Sequence, residues 1–173
     1  MEDILDIIVS RRSVKSFLPD MVEEDKIEKI IKAGMYAPTG KNLQSPIILA
    51  ITNKAIRDNL SKLIAESRGV SIDPFYGAPV VLAVLANKDV FTHVYDGSCV
   101  MENMLLEAHS IDLGACWIHH AKEIWESEYC KNILKSLGID GEYEGIGHCV
   151  LGYPKVKPEN SIPRKPKYVY YLK

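Results

Sequence analysis

Residues 23–52 read EEDKIEKIIKAGMYAPTGKNLQSPIILAIT, and within this stretch one periodicity gives way to another. The first half predicts a helix over 23–36, because Ile27, Ile30, Ile31 and Met35 fall on one stripe. Glu23, Glu24 and Asp25 occupy its first turn, where the helix dipole favours negative charge. The restriction that proline places on the preceding residue ends the helix at Ala37-Pro38. The second half, 46–52, is short and apolar and reads as a strand. Between them lies a polar loop, Ala37-Pro38-Thr39-Gly40-Lys41-Asn42-Leu43-Gln44-Ser45-Pro46. It offers a hydroxyl, side-chain amides and a glycine where the backbone can approach a ligand closely. The same residue types also suit an ordinary turn, so the loop alone decides nothing about function.

Outward from this stretch, helical patterning covers 2–10, 54–67, 94–111 and 123–137, with Asn53 as the N-cap of the second of these. Val100, Met101, Met104, Leu105 and Ala108 mark the 94–111 helix as a core element. Further strands are predicted at 80–86, 115–118 and 147–152, and the tyrosine-rich tail 167–172 is β-prone enough to pair as an edge strand. Residues 153–166 contain Pro154, Pro158, Pro163 and Pro166, which predicts an extended arm. With so little core of its own, the arm over 153–173 needs a surface to lie on, such as another subunit. Long helices with few strands predict an α+β fold, one domain over 1–173 with helices packed on a small mixed sheet.

Composition narrows the function. The chain has 173 residues, 47% hydrophobic and 25% charged, with a formal net charge of −2. That profile fits a soluble domain and argues against a nucleic-acid binder. No apolar run approaches the ~18 residues of a membrane span. Met1-Glu2-Asp3 lacks the basic start of a signal peptide, so a cytoplasmic location is expected. Cys99, Cys116, Cys130 and Cys149 form no CxxC pair and are expected to be free thiols.

Several familiar motifs fail. Gly34–Asn42 has P-loop flavour, but its spacing is wrong, Asn follows Lys41, and the segment leaves a helix rather than a strand. Gly145-Ile146-Gly147 begins like a dinucleotide fingerprint, yet Val150 stands where a third glycine belongs. No GxSxG elbow is present. Cys116, His119 and His120, with His148 or Cys149, are candidate metal ligands, but no carboxylate lies close in sequence. If the strand continues, His119 and His120 point in opposite directions, so no metal is expected.

Arg11, Arg12, Ser13 and Lys15 gather three cations and a hydroxyl into five positions. Arginine's planar fork and lysine's point charge suit a phosphate. A solvated helix end accounts for the cluster equally well. With the 37–46 loop, however, this cluster resembles the nitroreductase family of FMN-dependent oxidoreductases. Leu113-Gly114-Ala115-Cys116-Trp117-Ile118 is similar to that family's later flavin-contact strand, and Leu151-Gly152-Tyr153-Pro154 with Arg164-Lys165-Pro166 is similar to its C-terminal end. The matches run in the family's order over 11–166.

The resemblance implies a nitroreductase-like, intertwined homodimer with FMN at the subunit interface. Arg11, Arg12 and Arg164 would hold the phosphate, with Ser13 on the ribityl or ring-edge side and Lys15 near flavin N1 and O2. Pro38, Thr39, Gly40 and Asn42 would come from the other subunit, Gln44 being a further cofactor-binding position of the same loop. Trp117, Ile118 and His119 would run along one flavin face, with a backbone N–H near N5. The chemistry implied is hydride transfer from NADH or NADPH through N5 to an electron-poor acceptor such as a nitroaromatic or quinone, with ping-pong kinetics. The flavin carries that chemistry, so no acid–base triad is required. Two positions depart from the family pattern. Ile162 replaces a common basic residue, for which Lys165 can compensate, and His119 replaces a carboxylate found in some members. His119 would make the pocket more electropositive, or supply a proton, when protonated. Little sequence is available for a lid between 87 and 98, so an open pocket is expected. The rival readings are a flavin-binding carrier, sensor or electron-transfer protein without a small-molecule substrate, and an anion- or metal-binding module without flavin.

Overall fold

The computed structural model describes residues 3–158 and 162–173. In chain order the elements are α1 (Ile4–Ser10), α2 (Glu24–Met35), a 3-10 turn (Gly40–Asn42), β1 (Pro46–Ile51), α3 (Lys54–Arg68) and β2 (Val80–Asn87). They continue with α4 (His93–Ser110), β3 (Gly114–Ile118), α5 (Ala121–Trp125), α6 (Glu128–Ser136) and β4 (Tyr143–Gly152). The strands form one four-stranded sheet in the order β1-β2-β4-β3. The expected α+β class holds, but every pairing between named strands is antiparallel. The parallel contribution is a single bridge from Ser13 to Ala115, outside the named strands.

The core follows from β2. Its run Val80 to Ala86 is buried throughout, because helices cover both faces of the sheet. Val81, Ala83 and Leu85 pack with Leu60, Ile64, Phe75 and Trp125. Val80, Leu82, Val84 and Ala86 pack with Ile27, Ile30, Met101 and Met104. The chain is therefore a three-layer sandwich, with α2 and α4 on one side and α3 and α5 on the other.

Local signals explain most boundaries. Asn53 caps α3, its side chain accepting from the Ile56 N–H at 3.1 Å. The α2 stripe differs from expectation at its end. Met35 is exposed, and Gly34 takes the core-facing position, because a side chain there would strike Met104 with its Cβ 2.9 Å from Cγ. The predicted helix over 123–137 is two helices. Ser127 breaks it and caps α6 by accepting from the Cys130 N–H. The tail 162–173 is exposed and carries no strand in the single chain, so the expected edge pairing over 167–172 does not form.

β4 begins at Tyr143 rather than 147. Its glycines mark close approach rather than a strand end. A Cβ at Gly145 would lie 2.4 Å from the Ala121 carbonyl oxygen, and one at Gly147 would lie 2.4 Å from Trp117 Nε1. Because the obstacle at Gly145 is backbone, Gly145→Ala must push α5 away from the sheet. A loss of about 1–3 kcal/mol is expected from such overpacking, read from urea-denaturation midpoints at unchanged m-value.

Candidate functional site

The segment after α1 is extended and stapled to the sheet. The Val14 N–H donates to the Ala115 carbonyl at 3.0 Å, Leu18 N–H to Tyr153 at 2.8 Å, and Lys155 N–H to Ser16 at 2.9 Å. Val14 anchors it in the core against Gly114, where a Cβ would meet the Val14 side chain at 2.9 Å. An extended chain sends alternate side chains to opposite sides, and the cationic cluster is split accordingly. Ser13, Lys15 and Arg11 all act on the Cys116 thiol of β3. Burial pushes that thiol up, and a hydrogen bond with Ser13 and the charges of Lys15 and Arg11 oppose the shift. The Lys15 ammonium also lies 5.9 Å from the centroid of the Tyr76 ring. Arg11 Nε stands 3.9 Å from Glu102.

Arg12 goes the other way. Its Nη1 donates to the carbonyls of Val9 and Arg11, both at 2.8 Å, which satisfies carbonyls at the end of α1. It lines a separate small cavity with Ser10, His109 and Lys157. Arg12 thus closes a helix end, while Arg11, Ser13 and Lys15 lie on the other side of the segment.

The 37–46 loop is built on α4. Lys41, Asn42 and Gln44 have φ values of 52°, 56° and 50°, a left-handed conformation that costs roughly 1–3 kcal/mol for side chains that do not favour it. Thr39 Oγ1 accepts from the Gln44 N–H at 3.1 Å, and the Gln44 amide donates to Asn42 at 3.4 Å. Pro38, Asn42 and Gln44 are exposed, while Thr39 and Gly40 are half-buried. Among the described residues, no hydrogen bond or ion pair joins this loop to Arg11, Ser13 or Lys15. One chain therefore presents two polar arrays that it does not itself bring together.

β3 stops at Ile118. Trp117 is half-buried beside Gly147, Ile118 is buried and His119 is exposed. His120 turns the chain into α5 with φ of 67°, so the alternation expected of a continuing strand fails. The His119 and His120 rings instead meet edge to face, 5.9 Å apart. His120 Nδ1 is buried without a hydrogen-bond partner and lies 3.8 Å from Glu123. Arg164 and Lys165 lie in the exposed tail, where Lys165 sits over the Tyr168 ring. Ile162 is exposed beside them.

Sequence reasoning missed Tyr76 and Asp96. Tyr76 has φ of 55° in a turn pinned by Asp73, which accepts from the N–H groups of Phe75 and Gly77 and pairs with Arg57. The hydrogen bonds from Ser61, Arg57 and those two amides hold the Asp73 carboxyl below its usual range against the opposing effect of burial. Burial pushes the Cys130 and Cys149 thiols up, which makes them poor nucleophiles. All four cysteines are free. Among the described residues no group of three His, Cys, Asp or Glu is placed to hold a metal ion, and no helix is long and apolar enough to cross a membrane.

The chain matches the nitroreductase family over residues 8–71 and 66–153. A relative from Archaeoglobus fulgidus, provisionally named NADH dehydrogenase/NAD(P)H nitroreductase, is 30% identical over 90% of this chain and 87% of its own. The NADPH-flavin oxidoreductase of Vibrio harveyi is 24% identical over 98% of this chain and 72% of its own. Among solved structures, a nitroreductase with bound FMN from Bacteroides fragilis superposes with a TM-score of 0.90 at 24% identity, covering 100% of both chains. The chain belongs to the nitroreductase family.

Proposed function

We propose that this chain is an FMN-dependent NAD(P)H oxidoreductase that works as a homodimer. The observation that carries the reading is the convergence of Arg11, Ser13 and Lys15 at β3, two cations and a hydroxyl on one side of a stapled segment. Such a donor set fits a phosphorylated, electron-rich ligand. Arg11 would hold the FMN phosphate, with Arg164 and Lys165 free to join it from the tail. Lys15 would place its charge beside the flavin ring, where it favours the electron-rich form. Thr39, Gly40, Asn42 and Gln44 would reach the flavin from the second subunit. Trp117, Ile118 and His119 would form the wall at the end of β3. Bound FMN would supply the redox chemistry, accepting hydride from NAD(P)H and delivering it to an electron-poor acceptor such as a nitroaromatic or a quinone.

A partner subunit is supported by apolar surface that one chain leaves bare. On α1, Ile4 is 73% and Leu5 61% exposed, and Met35, Tyr36 and the tail residues Tyr170 to Leu172 are exposed as well. A groove of roughly 390 Å³ between Ile31, Met35, Thr39, Gln44 and Ile48 lies beside this surface. Exposed apolar surface of this extent marks an interaction site.

Purified protein is expected to be yellow and to bleach on anaerobic addition of NADH or NADPH. Initial rates at varied donor and acceptor should give parallel double-reciprocal lines, since donor product leaves before acceptor binds. A colourless protein that takes up no added FMN overturns the cofactor assignment. A flavin bleached by NAD(P)H that never turns over with nitroaromatics or quinones favours an electron carrier instead.

A further inference from the structure

Asp96 is buried, only 4% exposed, in the first turn of α4. One carboxylate oxygen accepts from the Gly40 N–H at 2.9 Å. The other accepts from the hydroxyls of Ser45 and Thr92, both at 3.0 Å. Gly40 and Ser45 bracket Lys41, Asn42 and Gln44, the residues in left-handed backbone. The fit at Gly40 is equally close, since a Cβ there would stand 2.4 Å from Thr92 Oγ1. Strained backbone of this kind persists only where its surroundings over-determine it, and a buried charge persists only where donors surround it. Each condition here is met by the other.

We infer that Asp96 is a positioning residue that latches the 39–45 loop onto α4 in its ligand-presenting form. This rests on the proposed FMN reading for its functional consequence, though not for the latch itself. A loop released from the latch would populate the competent form only in part, and apparent cofactor affinity falls by that fraction. Because the loop would serve the neighbouring flavin, Asp96 of one subunit would control cofactor retention in the other.

The test measures two quantities on full-length protein. Hydrogen exchange of the Gly40 amide in FMN-free protein should lose its protection in Asp96→Ala. FMN dissociation constants from quenching of flavin fluorescence should rise roughly 10- to 100-fold, corresponding to 10% to 1% of loops remaining competent. Asp96→Asn keeps an oxygen for the Gly40 N–H and should recover much of both. If Asp96→Ala fails to fold, Ser45→Ala and Thr92→Val each remove one hydroxyl donor and should show smaller shifts in the same direction. Unchanged Gly40 protection in every folded variant overturns the latch. Lost protection with wild-type FMN affinity overturns its role in binding. Wild-type protein that binds no FMN overturns the cofactor reading, and the exchange result then decides the latch alone.

Discussion

Two variants that each lose FMN should recover it when combined in one dimer. Arg11→Ala/Lys15→Ala removes the cations of a subunit's own segment. Loss of two charge-assisted contacts, each worth about 1.5–3 kcal/mol, should weaken FMN roughly 10²- to 10⁴-fold. Gly40→Val drives a side chain into Thr92, where even a Cβ lies 2.4 Å from Oγ1, and should lift the loop from α4. In a heterodimer made from the two, one site combines both lesions. The other draws intact cations from one subunit and an intact loop from its partner. Heterodimer isolated through two different tags should therefore bind about one FMN per dimer, while each parent homodimer stays colourless. If loop and cations served the same site within one chain, both sites would carry a lesion and the heterodimer would stay empty.

The second large effect is on stability. His148 is fully buried in β4, and its Nε2 accepts from Trp125 Nε1–H at 3.0 Å. That bond assigns the proton to Nδ1, which is buried with no partner. Burial pulls the imidazole pKa down to about 3 from 6.5. Below pH 6.5 the unfolded chain therefore takes up a proton that the folded chain refuses, and stability falls as pH is lowered. Between pH 7 and pH 5 the loss should be about 2 kcal/mol, at a pH above the range where the carboxylates protonate. His148→Gln retains an acceptor for Trp125 and cannot titrate, so its stability should be flat over the same interval. Urea midpoints measured at both pH values decide this. A slope that persists in His148→Gln assigns the proton uptake to another group.

The layered fold could be read from the chain wherever the signal was local. Asn53 sits where a cap belongs, and the unbroken apolar run of β2 coincides with the strand expected over 80–86. Signals failed where geometry is set by a distant neighbour. Gly145 and Gly147 look like breakers until Ala121 and Trp117 are seen pressing on them. Met35 continues the helical stripe on paper, but Met104 reserves the core position for Gly34. At the candidate site, the residues of the Arg11 cluster were visible and their separation was not. That separation depends on the chain leaving α1 as an extended segment, which only its pairing with Ala115 and Tyr153 reveals. Asp96 could not be found from sequence at all. Its partners Gly40 and Ser45 lie 56 and 51 residues away, and a single acidic residue in a helix's first turn is ordinary.

The stapled segment that carries Arg11 and Lys15 also has a protective role. β3 is the last strand of the sheet, and the bond from Val14 to Ala115 covers part of its outer side. Open sheet borders template pairing with other chains, and proteins guard them with bulges, charges or covering loops. Here the guard carries the very cations proposed to grip the cofactor. Anything that peels this segment away uncovers a bare strand on a protein already rich in exposed apolar surface, so damage at the binding cradle would surface as clumping of the protein as well as lost colour.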